Sequence, residues 1–76
     1  MGYYNNSWDS SYANAKRLLG NAKGFYDMKA KAKTLKQAWN AAFGLPDDYI
    51  GRDELLREIE NYAYNCDIDL SQVSGY

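Results

Sequence analysis

Residues 25–46 read FYDMKAKAKTLKQAWNAAFGLP, and this stretch decides the fold. Phe25, Met28, Ala32, Leu35, Trp39 and Ala42 recur in it at alternating intervals of three and four residues. Successive helical residues turn by about 100°, so that spacing gathers the six into one apolar stripe along a helix. Phe43 widens the end of the stripe. The stop signal is equally plain. Gly44 can take the left-handed conformation favoured just past a helix, Leu45 can fold back on the last turn, and Pro46 forbids continuation. The pattern predicts a helix over 25–43.

On the N-terminal side, Trp8, Tyr12, Ala15, Leu18, Leu19 and Ala22 share a face, with Asn14, Arg17 and Asn21 opposite. A helix over 9–22 follows, with Ser7 or Asp9 able to cap its start. Gly20 and Gly24 bracket the join, and the stripe changes register there, which favours a break over one long bent helix. On the C-terminal side, Leu55, Leu56, Ile59, Tyr62, Ala63 and Cys66 define a third helix over 52–65. Asp53 and Glu54 fall in its first turn, where the helix dipole favours negative charge. Gly51 followed by Glu54 resembles a weak capping box, and Ile50 is placed to staple the start. Residues 1–8 and 67–76 read as less ordered, with Ile68, Leu70 and Val73 able to pack the tail back as a turn or short helix. No strand pattern or repeat intervenes. The expected fold is all-α, a single small three-helix bundle spanning 1–76.

Charge is segregated along the chain. Residues 16–36 carry seven cations against one acid, Asp27, a net +6; residues 47–69 carry eight acids against Arg52 and Arg57, a net −6. Asp9 completes the total of −1. Opposite charges facing across helix interfaces explain such a split without any partner, each exposed pair contributing about 0–1 kcal/mol.

A chain of 76 residues has a thin core, so a partner or self-association often supplies part of the stability. One cysteine, Cys66, cannot form an internal disulfide, and the absence of histidine removes the commonest metal ligand and every Ser-His or Cys-His arrangement. Cys66 on an apolar face reads as a small hydrophobe. Asp47 and Asp48, just after Pro46, read as turn residues. The run Asp67-Ile68-Asp69-Leu70-Ser71 begins like a calcium loop but fails at its sixth position, which is Gln72 instead of Gly. No phosphate-cradling glycine loop is present. The expectation is a non-enzymatic protein without cofactor. No stretch has the run of roughly 18–20 apolar residues that spans a membrane. The N-terminal residues lack a signal-peptide pattern, and a reducing, cytoplasmic setting is expected.

Two surfaces remain as binding candidates. The first is basic: Lys29, Lys33 and Lys36 line one edge of the middle helix, and Lys16, Arg17 and Lys23 extend it. Such a stripe can track a phosphate backbone, although lysine lacks the forked geometry that reads base edges and the pI is only about 5.2. The second is aromatic, eight tyrosines against two phenylalanines. Tyr26, on one side with Ala30, Gln37 and Ala41, and Tyr64 on the third helix form candidate protein-binding positions, because tyrosine buries much area at low rotamer cost. The leading expectation is a protein-binding module that occupies a surface of a larger protein or protein–nucleic acid complex, as an inhibitor or adaptor. Small viral or phage-encoded proteins that block host machinery are often of this kind. Nonspecific nucleic-acid binding through the lysine stripe and self-assembly into a homo-oligomer are the alternatives.

Overall fold

Three residues, 25–27, separate the first two helices at the place where the apolar register changes. A computed structural model describes residues 6–73 of the chain, and the side chains of 8–73. Helix α1 runs Asn6–Gly24, α2 Met28–Phe43 and α3 Arg52–Asn65, and a single 3-10 turn follows at Leu70–Gln72. Among the described residues there is no strand. The expected three-helix bundle is the observed architecture. The expectation of less order falls outside the described residues at 1–5 and 74–76, as does capping by the Ser7 side chain.

Helix α3 spans the expected 52–65, whereas the starts of α1 and α2 differ from the expected ones for local reasons. Helix α1 begins before residue 9, so Asp9 sits in its first turn, where its charge suits the helix dipole. Helix α2 begins at Met28, not at 25. Asp27 is its N-cap, in extended conformation, and its carboxylate accepts a long 3.4 Å hydrogen bond from the Ala30 N–H. The one acid of the basic block is therefore spent on capping, and Phe25 and Tyr26 lie outside the helix. At the far end Gly44 is right-handed, contrary to expectation; its N–H donates to Asn40 O at 3.0 Å. The stop comes instead from Leu45, which is buried and donates to Ala42 O at 3.1 Å, and from Pro46 beyond it.

Helix α2 is the central element. The three-residue connection folds it back along α1, α3 packs on it from another side, and α1 and α3 barely touch each other. The molecule is accordingly elongated, 42 × 19 × 16 Å. Ala15, Leu19 and Ala22 of α1 meet Leu35, Ala38 and Ala42 of α2, and Leu55, Ile59 and Ala63 of α3 complete the core. Alanines at the contact let helix backbones approach closely, which buries little side-chain volume. Among the described residues, only Leu35 and Ile59 are large and fully enclosed. Serving two neighbours also rotates the buried arc of α2: Ala38 is enclosed, while Met28 and Phe43 of the expected stripe are exposed and Trp39 is half-buried.

Arg52 joins the ends of α2 and α3. Its guanidinium donates to Asp53 Oδ1 at 3.0 Å and to the Phe43 carbonyl at 3.3 Å, faces Asp47 at 3.6 Å, and stands 5.3 Å above the Phe43 ring. A cation in the first turn of a helix opposes the dipole. Here it is nine-tenths buried and answers a carbonyl at the end of α2 that would otherwise lack a partner. Ile50 is exposed and does not staple α3; Gly51 precedes the helix with φ +94° and no side-chain cap.

Candidate protein-binding groove

Beyond α3 the chain turns sharply. Asp67 adopts a left-handed conformation, φ 60°, which is tolerated by aspartate better than by most side chains. Its N–H donates to Tyr64 O, and the Ile68 N–H donates to Ala63 O at 2.8 Å, so the tail folds back on the last turn of the helix. The 3-10 turn then begins with Asp69, whose carboxylate accepts from the Ser71 N–H at 3.0 Å and from the Ser71 hydroxyl at 2.7 Å. These hydrogen bonds, the hydroxyl foremost, hold the Asp69 carboxyl below its ordinary 3.8, with Lys36 adding a smaller attraction.

The returning tail leaves a groove of about 550 Å³ against α2 and α3. Trp39 and Lys36 line it from α2, Glu60, Ala63 and Tyr64 from α3, and Ile68 and Leu70 from the tail. Trp39 is fixed from three directions. Its indole N–H donates to Glu60 Oε2 at 3.2 Å, Phe43 stacks on it at 4.6 Å between centroids, and the Lys36 ammonium stands 5.2 Å from its ring. Tyr64 is 81% exposed at the rim. The groove thus pairs an indole held by three contacts and aliphatic side chains with an exposed phenol.

A second cluster lies on the α3 side of α1 and α2. Lys31 Nζ donates to the Tyr62 hydroxyl at 2.9 Å, and Lys31 and Lys23 stand 5.3 and 5.6 Å from the Tyr62 ring. That hydrogen bond is the main cause that raises the Lys31 pKa above its ordinary 10.5. Lys23 also pairs with Glu58 at 3.7 Å, which links the basic and acidic blocks. Both partners are about half exposed, so the pair contributes about 0–1 kcal/mol.

The sequence-derived positions are dispersed by this arrangement. Tyr26 is in the connection between α1 and α2, 100% exposed, and does not share a helix face with Ala30, Gln37 and Ala41. Those three are half-buried, and Ala41 packs against the core. Tyr64 alone of the aromatic set belongs to the groove. The basic stripe divides as well: Lys36 is drawn to Trp39, Lys16 stands over Tyr12, Arg17 donates to Asn14, and Lys23 is paired. Lys29 and Lys33 remain outward, with no ion pair among the described residues. Trp39, Ile68 and Leu70 carry no site signal in the sequence: Trp39 belongs to the apolar stripe, and the tail pair reads as packing back on the bundle, as it does. Cys66 sits at the end of α3, half-buried. Among the described residues no group of three acidic or cysteine side chains is placed to hold a metal ion, and no helix is long and apolar enough to cross a membrane. Compared with protein-family models, curated proteins and solved structures, the chain matches none.

Proposed function

We propose that this chain is a non-enzymatic protein-binding module that inhibits or recruits a larger protein by seating one of its side chains in the groove between α2, α3 and the C-terminal tail. The observation that carries the reading is the combination of an indole, Trp39, held by contacts to Glu60, Phe43 and Lys36, with an exposed phenol, Tyr64, on the same groove. Interface hot spots are dominated by aromatic side chains held rigid beside a desolvated pocket, since little rotamer entropy is lost on docking. A groove of about 550 Å³ has room for one large anchor residue of a partner. Viral or phage-type inhibitors that act by occupation alone, in the cytoplasm of a host, work in this way.

Tagged wild-type chain and Tyr64→Arg, each captured after nuclease treatment, test this reading. A protein retained in fixed stoichiometry by the wild type and lost by Tyr64→Arg supports it. Retention of nothing, or of proteins indifferent to Tyr64→Arg, overturns it. The variant changes an exposed side chain, so an unchanged melting temperature separates lost binding from lost folding.

A further inference from the structure

The connection between α1 and α2 presents a second surface that shares no residue with the groove. Tyr26 is fully exposed there, and Phe25 and Met28 on either side of the capping Asp27 are 40% and 48% exposed. A tip with three large apolar side chains in four residues is unusual for a chain whose core is mostly alanine and leucine. Helix α2, which leads away from it, carries four lysines and no acid. Two of those lysines are engaged at rings, Lys31 at Tyr62 and Lys36 at Trp39. Lys29 and Lys33 point outward, four residues apart on one edge, about 6 Å along the helix axis, with no carboxylate paired to either among the described residues.

We infer that this tip and the adjoining edge of α2 bind single-stranded nucleic acid, with Tyr26 stacking on an unpaired base and Lys29 and Lys33 holding neighbouring phosphates. A free aromatic face beside a short row of cations is the arrangement by which single strands are held without reading their sequence. Lysine supplies point charges and no fork, so the contact is sequence-tolerant. A duplex offers Tyr26 no open base face. An anionic bilayer fits less well, because inserting the tip would press the Asp27 carboxylate into the headgroups, and Lys33 would stand back from them. A strand can pass Asp27 and follow the lysine edge. Lys23 adds little, since Glu58 already answers its charge at 3.7 Å.

Fluorescence anisotropy of a labelled oligothymidylate at low salt, titrated with the full chain, tests the assignment. Tyr26→Ala should weaken binding by roughly tenfold or more, the size of one base stack. Lys29→Ala with Lys33→Ala should flatten the plot of log affinity against log salt by about 1.4, from about 0.7 per phosphate contact on a single strand. Tyr64→Arg, in the groove, should leave oligonucleotide binding unchanged, so this surface and the protein-binding groove fail or succeed separately. Absence of binding at low salt overturns the inference, as does equal binding by Tyr26→Ala. Sedimentation with phosphatidylserine vesicles, without oligonucleotide binding, overturns it in favour of a lipid surface.

Discussion

A side-chain carbon added to Gly51 would lie 2.7 Å from the Tyr12 hydroxyl oxygen and 3.1 Å from the ring carbon that bears it. Gly51 thus serves two ends at once. Its φ of +94° turns the chain into α3, and its missing side chain leaves room for Tyr12 of α1. Tyr49, in the same connection, packs its ring 5.4 Å from that of Tyr12 and donates its hydroxyl to Asp9. Helices α1 and α3 meet so little directly that this loop is one of the few places where α1 is tied to the C-terminal half.

Gly51→Ala is therefore expected to destabilise the fold by about 1–3 kcal/mol, from backbone strain together with displacement of Tyr12. Thermal unfolding would show it as a drop of roughly 4–8 °C for each kcal/mol in a domain of this size. Tyr12→Phe, which removes the nearest atom, should make the second substitution less costly than in the wild type. A double-mutant cycle reads that coupling, and strictly additive effects would refute the contact.

How far the sequence revealed this fold depends on whether each residue answered to its neighbours or to the other helices. The three apolar stripes depend on near neighbours, and they placed α2 and α3 and the stop at Leu45 and Pro46. What needed tertiary contacts was hidden. Ala38 lies outside the expected stripe and is enclosed because two helices pack on α2, while Ala41, a candidate binding position, packs against the core instead. Asp27 looked like a stray charge because capping competes with a continuous stripe through Phe25, and the stripe was the louder pattern. Arg52 broke the rule for charges at helix starts, and its reason, the Phe43 carbonyl, lies nine residues away. The apolar residues Ile68 and Leu70 announced that the tail folds back, but the groove it leaves did not show: Trp39 belongs to the apolar stripe, and the sharp turn depends on a left-handed Asp67 that no periodicity announces.

Acid should loosen the tail that closes the groove. The Asp69 carboxyl has a depressed pKa in the folded chain, so its contribution is present above 3.8 and is lost as pH falls through the lower, folded value. Ser71→Ala removes the hydroxyl that is the main cause. Carboxyl carbon shifts followed by NMR should show Asp69 titrating below 3.8 in the wild type and closer to it in the variant. The variant's stability should also fall less steeply below pH 3.8. A titration that Ser71→Ala leaves in place would remove the hydroxyl from this account.

Gly20 offers a gain. It lies inside α1, and a side-chain carbon there would meet nothing within 4 Å. Glycine in a helix interior costs roughly 0.5–1 kcal/mol relative to alanine, because the unfolded chain has more conformations to lose. Gly20→Ala should raise stability by about that amount in urea unfolding, with an unchanged m-value. A loss instead would mean that α1 needs its flexibility near the turn into α2.

The core itself sets the tightest limit. At roughly 0.05–0.15 kcal/mol per residue, a chain of this length has a total stability of about 4–11 kcal/mol. Leu35 is completely enclosed at the centre of α2, where it faces α1 and α3 together. Leu35→Ala should cost about 2–5 kcal/mol, the transfer of the lost atoms plus an unfilled cavity, and the alanines around it have no longer side chains with which to collapse inward. That is enough to leave the variant marginal or unfolded at 37 °C. Ile59→Val, at the equivalent enclosed position of α3, removes one methylene and should cost only about 0.5–1.5 kcal/mol. Circular dichroism melts of the two variants should therefore differ sharply. If Leu35→Ala melted within a few degrees of the wild type, the stability would reside in the loop contacts around Gly51 and Arg52 more than in the alanine-lined core.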